Sequence, residues 1–193
     1  SYDGVDAREL DAGSLRSRIG LVSADAMLFN DTVFQNLTLG RKVATLSEVE
    51  RACRAVGAEE FIAALPEGYQ TTLGDWGSSL SLGQRHKLAI ARMLIKDPDI
   101  VVLDEAAAHL DGPAEREVLS VLETALSGRT VVTIAHDLAS VLGADRIFVL
   151  SAGALAESGT HDELMAAHCL YHRLFKLQRA SRAGSTAQSA EAP

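Results

Sequence analysis

The sequence has few of the residues that cross-link secreted domains or bind nucleic acid. It has two cysteines, Cys53 and Cys169, far apart and without metal-ligand spacing, which excludes a disulfide framework and is typical of a reducing compartment. The 18 basic residues are outnumbered by 26 acidic ones, giving a net charge of −8. Because phosphate backbones are bound by clustered Lys and Arg, we expect no nucleic-acid partner. Nor does any run reach the roughly 18 apolar residues that a bilayer span needs.

What the chain does have is the pattern of an α/β protein. Its 193 residues are 47% hydrophobic and 23% charged, enough for one sizeable core. Strand–helix–strand alternation between residues 99 and 150 predicts right-handed crossovers and a parallel sheet. A helical subdomain is expected at about 31–97, and a disordered tail at 179–193, which has little to bury. Strands are predicted at 18–22, 99–104, 130–135 and 146–150, and helices at 47–65, 83–96 and 112–126. In the 83–96 helix, one predicted face consists of Leu88, Ala91, Arg92 and Ile95.

The stretch "IVVLDEAAAHLD" at 100–111 ends an apolar run with two adjacent acids, Asp104 and Glu105. Such a run predicts a strand buried on both faces, as in a parallel sheet. Ligands of these sheets bind beyond the carboxyl ends of the strands, so the two carboxylates are candidate functional groups. The alternative is that Asp104 only caps the segment that follows.

A second informative stretch is "SSLSLGQRHKLAIARML" at 78–94, where Ser81 and Gly83 come at the start of a long predicted helix. The free N–H groups and the positive end of the helix dipole make such a start an anion site suited to phosphate. The alternative is an ordinary N-cap at Ser81, with Gly83 easing the turn.

Together, these stretches resemble the ATP-binding cassette (ABC) ATPases. "LSLGQRHKLAIARMLIKDPDIVVLDEAAAHLD" is similar to the family's signature helix, Walker B strand and D-loop, and "TVVTIAH" is similar to its H-loop strand. "SLRSRIGLVSADAMLFNDTVFQNL" resembles the Q-loop region, and "LPEGYQTTLGDWGSSLS" the loop before the signature in exporters. The resemblance runs from Tyr2 to Gln178 as a partial nucleotide-binding domain. It implies a P-loop NTPase (RecA-like) parallel-sheet core with an ABC helical subdomain.

The resemblance also implies a role for each matching residue. Asp104 would support Mg²⁺, and Glu105 would orient or activate the attacking water. Asp111 would lie at the interface between two cassettes, although it could equally cap the helix that opens at Pro113. The implied catalytic residues are Glu105 and His136, the implied ATP-binding residues are Ser81, Gly83, Gln84 and Asp111, and the implied metal residue is Asp104.

A glycine-rich phosphate loop ending in lysine, GxxxxGK[ST], does not occur in these residues. None of the four lysines follows a glycine. In the family this Walker A loop comes a few tens of residues before the position of "SYDGVDAREL". We therefore expect the chain to begin inside the cassette, as part of a longer protein, and to be inactive by itself.

Three positions depart from the family pattern. Ala24 stands where the Q-loop usually has glutamine, and its methyl group cannot coordinate a metal or accept a hydrogen bond. Leu82 replaces the first glycine of LSGGQ, where the backbone normally comes close to phosphate. His109 replaces a small D-loop residue. Glu105 and His136 match the family. This combination of matching and departing residues would suit one half of an asymmetric pair of cassettes.

The function implied by the resemblance is the ATPase domain of an exporter, with ATP and Mg²⁺ as cofactors. Its partners would be a transmembrane domain and a second nucleotide-binding domain, at the cytoplasmic face of the cell membrane. One alternative is a catalytically impaired or regulatory cassette that mainly serves dimerisation, favoured by Ala24 and Leu82. Another is a soluble ABC ATPase acting on DNA or ribosomes, against which the acidic balance counts.

Overall fold

The computed structural model describes residues 2–41, 43–106, 112–135 and 137–189. The chain divides after Ile134 into two compact units. The first holds helices α1 (Ala12–Ser17), α2 (Val33–Thr38), α3 (Leu46–Ala55), α4 (Glu59–Ala63), α5 (Leu82–Lys96) and α6 (Gly112–Ala125), and strands β1 (Ile19–Ser23), β2 (Ile100–Asp104) and β3 (Thr130–Ile134). The second holds β4 (Ile147–Ser151), β5 (Ala154–Gly159), α7 (His161–Ala166) and α8 (Leu170–Ser189).

The first unit is built on a parallel sheet in the order β1-β2-β3, which confirms the predicted parallel pairing. The register is continuous from Ile19 and Ile100 at one edge of the sheet to the ends of the strands at the other. Ser23, Asp104 and Ile134 lie side by side in the last row. The carboxyl edge of the sheet is therefore where Asp104 sits, as the sequence predicted.

Burial of this sheet is one-sided, so the prediction that β2 is buried on both faces was wrong. Val101 and Leu103 are buried, in one cluster with residues of α5 and α6. On the other face, Leu21 is 62% exposed and Val132 49% exposed. The apolar run of β2 indicated a strand correctly, but burial also depends on which elements cover each face. In the described part of the chain, α5 and α6 cover only one face of the sheet.

The helical region follows the sequence pattern closely, with one break. Helix α5 buries Leu88, Ala91 and Ile95, which confirms its predicted apolar stripe. The predicted helix at 47–65 is instead two helices, α3 and α4. They separate at Gly57, whose φ of +62° is a left-handed conformation that glycine adopts without steric cost and that ends a helix.

In the second unit, the strand predicted at 146–150 does not continue the parallel sheet. It forms β4, which pairs antiparallel with β5. The two strands are joined by Ala152 and Gly153, both at positive φ, as a two-residue type I′ hairpin turn requires. The pairing of β4 is therefore set by a local turn. The core of the second unit consists of Ile147, Val149, Leu164 and Tyr171.

Helix α8 runs from Leu170 to Ser189 and so includes residues 179–189 of the segment for which a disordered tail is predicted. This segment has three alanines, two arginines and a glutamine, all strong helix formers, and it contains no proline. Low hydrophobicity argued against burial, but it does not prevent a helix from extending. Of the described helices, none is both long and apolar enough to cross a membrane.

Candidate functional site

The two adjacent acids are held at the sheet edge by backbone hydrogen bonds on both sides. The Ala24 N–H donates to the Asp104 carbonyl at 3.0 Å, and the Glu105 N–H donates to the Ile134 carbonyl at 3.2 Å. The main chain around the acids is therefore fixed by the residue that follows β1 and by the end of β3. The predicted Q-loop position, Ala24, is thus in direct contact with the acid pair.

Glu105 has a left-handed backbone, with φ of +53°. For a residue other than glycine this costs roughly 1–3 kcal/mol and persists only where the surroundings enforce it. Six other non-glycine residues in the described part of the chain share a positive φ, so the conformation alone is not a functional sign. At Glu105 it marks the sharp turn by which the chain leaves the sheet directly beside Asp104.

The side chain of Asp104 belongs to the less covered face of the sheet. In the register it shares a face with Val102, two residues earlier, and with Ser23 on β1. A half-exposed carboxylate at a sheet edge is a suitable ligand for Mg²⁺, which commonly takes one or two carboxylates and completes its shell with water and substrate phosphates. Within the described ranges, no three His, Cys, Asp or Glu residues form a preformed metal cage. A single carboxylate of this kind fits a magnesium ion only where water and phosphate supply the other ligands.

Ser81 is the N-cap of α5, as one of the two sequence interpretations predicted. Its Oγ accepts from the Gln84 N–H at 3.2 Å, and its own N–H donates to Gln84 Oε1 at 2.9 Å. This reciprocal capping box engages the Gln84 side chain. The N–H groups of Leu82 and Gly83 belong to the first turn, where a helix supplies no acceptor. Capping and anion binding are therefore compatible here.

The buried side chain of His86 contacts the first turn of its own helix, α5. Its ring is fully buried, and Nδ1 lies 3.0 Å from the Leu82 carbonyl oxygen. Nδ1 therefore carries the proton and donates, because a carbonyl can only accept. This hydrogen bond holds the backbone of Leu82, the residue that departs from the family pattern.

A buried polar network that the sequence analysis missed joins α5 to the segment after β1. The Arg92 guanidinium donates from Nε to the Asn36 carbonyl at 2.7 Å and from Nη1 to the Met27 carbonyl at 2.9 Å. Asn36 is 1% exposed, and its amide bonds both the N–H and the carbonyl of Phe29. Burial lowers the pKa of Arg92. The available signal was an arginine within the apolar stripe of a helix, a place where a charge requires buried acceptors.

Removing the Asn36 amide should destabilise the first unit. Asn36→Ala leaves the Phe29 N–H and several carbonyls without their buried partner, so we expect the free energy of unfolding to fall by about 2–3 kcal/mol. Urea unfolding followed by the fluorescence of Trp76, the single tryptophan, measures it. Asn30→Ala, at an exposed position in the same segment, is the matched control and should change stability by less than about 0.5 kcal/mol. Equal effects of the two substitutions would contradict the role of Asn36.

Three further residues singled out in the sequence, His136, Asp111 and His109, lie outside the described residues. The structure brings Asp104, Glu105 and Ala24 together at the sheet edge, and it places Ser81, Gly83 and Gln84 together at the start of α5. These are two separate groups on two elements, one at the end of β2 and one at the beginning of α5.

A parallel α/β sheet with an acid pair at its carboxyl edge, preceded by a capped helix, is the arrangement that the sequence analysis expects of a P-loop NTPase core. Comparisons with known proteins agree. The profile of the ABC transporter family matches residues 1–108. The lipid A-core flippase of Paraburkholderia xenovorans is 47% identical over 176 residues, and the ABC transporter aclQ of Aspergillus oryzae is 44% identical over 177. These matches cover 91% and 92% of this chain and 29% and 22% of the relatives.

Among solved structures, a bacterial Atm1-family ABC exporter with ATP bound matches with a TM-score of 0.83 and 40% identity, over 91% of this chain and 31% of that one. The chain belongs to the ABC transporter family, in the region of its nucleotide-binding domain. It has the predicted parallel-sheet core of that family with its helical subdomain. It spans less than a third of the length of these three proteins.

Proposed function

We propose that the chain is part of the nucleotide-binding domain of an ABC exporter, in which ATP binding and hydrolysis drive transport across a membrane. The observation that carries this proposal is the acid pair Asp104–Glu105, fixed by backbone bonds from Ala24 and to Ile134 at the carboxyl edge of the sheet. The names of the relatives, a flippase and an exporter among them, favour export as the direction of transport.

Within this proposal the two carboxylates have different tasks. Asp104, on the less covered face, would hold Mg²⁺, which when bound would neutralise charge on the terminal phosphates. Glu105, one residue beyond the strand, would accept a hydrogen bond from the attacking water and orient it. Two adjacent anions repel each other, and a bound divalent cation beside one of them offsets that repulsion. Positioning and charge supply most of the catalysis in phosphoryl transfer, so a rigid main chain at this point is useful.

The start of α5 would act on the nucleotide of a second cassette. In the head-to-tail pairing of the family, ATP lies between the phosphate loop of one cassette and the signature helix of the other. Ser81, Gly83 and the N-terminus of α5 would thus face the partner's γ-phosphate, and Asp111 would lie at the same interface. The remaining partner would be a transmembrane domain, with the cassette on the cytoplasmic face of the membrane.

ATP hydrolysis by the full product of the gene, reconstituted in lipid vesicles, tests the proposed function. We expect magnesium-dependent phosphate release that Asp104→Asn abolishes. Nucleotide binding without turnover would favour the impaired or regulatory cassette instead. A product that neither binds nor hydrolyses ATP would contradict both forms of the proposal.

The 193 residues by themselves should bind Mg-ATP weakly. They contain no GxxxxGK[ST] loop to hold the β- and γ-phosphates, and Asp104 alone is a poor magnesium site because this ion relies on phosphate ligands. Isothermal titration calorimetry with Mg-ATP should detect no binding in the micromolar range. Micromolar affinity would show that these residues hold the nucleotide in another way.

A further inference from the structure

The connection between α7 and α8 brings two histidines together in the sequence "HCLYH" at 168–172. His168 Nδ1 lies 3.3 Å from His172 Nε2. The ring centroids are 4.6 Å apart, and the ring planes are inclined at 87°. The two rings therefore meet through ring nitrogens and do not stack face to face. The nucleotide site proposed above uses neither residue.

The backbone beneath this histidine pair is well anchored. The Glu157 carboxylate on β5 accepts from the Leu170 N–H at 2.5 Å and from the Tyr171 N–H at 3.2 Å, so it caps the start of α8. Tyr171, one residue before His172, is 1% exposed in the core of the second unit. His168 is exposed and His172 is half-buried. The rings thus sit on a fixed support, and solvent can reach them.

We propose that His168 and His172 form a binding site for a divalent cation of the zinc class. Two imidazoles bound to one tetrahedral Zn²⁺, at Zn–N distances of about 2.0–2.1 Å, have their nitrogens about 3.3–3.4 Å apart. The observed 3.3 Å of this hydrogen bond matches that separation. For zinc to bind, the shared proton moves to the other nitrogen of its own ring, so that both facing nitrogens offer a lone pair. Imidazole nitrogen is a preferred ligand of Zn²⁺ and of copper and nickel.

The pair supplies two ligands, and water completes the shell. Within the described ranges, no third His, Cys, Asp or Glu joins them in a metal cluster. The exposed Cys169 thiol, between the two histidines in sequence, instead donates to the Ala167 carbonyl at 3.2 Å. Lys176, one turn after His172 on α8, places a positive charge next to the pair and opposes a cation. The two imidazoles therefore favour binding of the cation, and the charge of this lysine weakens it.

Calorimetric titration of the full chain with zinc chloride, without nucleotide, tests the proposal. We expect one binding event that weakens at least tenfold in both His168→Gln and His172→Gln, because loss of even an outer-shell partner costs roughly 10–100-fold. Lys176→Ala should tighten binding, and Cys169→Ser should leave it unchanged. Circular dichroism confirms that each variant is folded.

Two results would overturn the proposal. One is zinc binding that survives in both histidine variants, which would place the ion elsewhere in the chain. The other is no binding by the parent chain, in which case the 3.3 Å contact is only a hydrogen bond between the two imidazoles. The Lys176→Ala arm does not depend on the histidine variants, and its failure to tighten binding would also count against the site.

Discussion

Replacing Glu105 by glutamine in the full-length protein is expected to lower kcat for ATP hydrolysis by roughly 100- to 10,000-fold, the range that a positioned general base contributes. Affinity for Mg-ATP should change little. The amide keeps the size of the carboxylate but cannot accept a proton from water, so the loss falls on an interaction made mainly in the transition state. Phosphate release and nucleotide binding should be measured on the same preparation.

The control for Glu105→Gln is the same substitution at Glu123, an exposed position on α6, which should leave both quantities unchanged. Asp104→Asn should behave differently from Glu105→Gln, because loss of the metal ligand weakens the magnesium-dependent part of binding. Parallel losses of turnover and affinity in Glu105→Gln would mean that the two carboxylates have been assigned the wrong way round.

Leu82→Gly is expected to increase ATP-driven dimerisation by roughly 10- to 150-fold, since one regained hydrogen bond to a charged phosphate is worth about 1.5–3 kcal/mol. Leu82 is the first residue of α5, directly after the N-cap Ser81, so its side chain adds bulk where a phosphate would approach the free N–H groups. Dimer formation can be followed by analytical ultracentrifugation in a Glu105→Gln background, where hydrolysis is blocked.

Ala24→Gln is the matched reversion, because it also restores the family residue but at the sheet edge and not on α5. The Ala24 N–H bonds the Asp104 carbonyl, so a glutamine there would reach the acid pair of its own cassette. It should act on turnover and leave dimerisation nearly unchanged. If Leu82→Gly gives no gain in dimer, the leucine is a tolerated variant, and the signature helix works without the missing glycine.

Local periodicity predicted much of the fold. The apolar run ending at Asp104 indicated β2, and the spacing of Leu88, Ala91 and Ile95 indicated the buried stripe of α5. Strand–helix–strand alternation then predicted the parallel sheet, because a crossover helix forces parallel pairing. The positions of the acid pair and of the N-cap Ser81 could then be predicted, because each lies at the end of a predicted strand or helix.

The features that the sequence did not predict depend on what packs against an element. Whether β2 is covered on one face or on both is decided by distant segments. The pairing of β4 with β5 was set by the Ala152–Gly153 turn, whose alanine has no general preference for positive φ. Arg92 interrupts an apolar stripe, and its acceptors, the carbonyls of Met27 and Asn36, are 65 and 56 positions away. Such contacts become visible only in three dimensions.

The structure of the full-length Glu105→Gln protein with Mg-ATP is the most direct test of the account. We predict that the terminal phosphates and Mg²⁺ lie beside the Asp104 carboxylate, with the N-terminus of α5 from a second cassette facing the γ-phosphate. A nucleotide bound away from the β2 edge, or no nucleotide at all, would contradict the assignment of Asp104 and Glu105 as the catalytic centre.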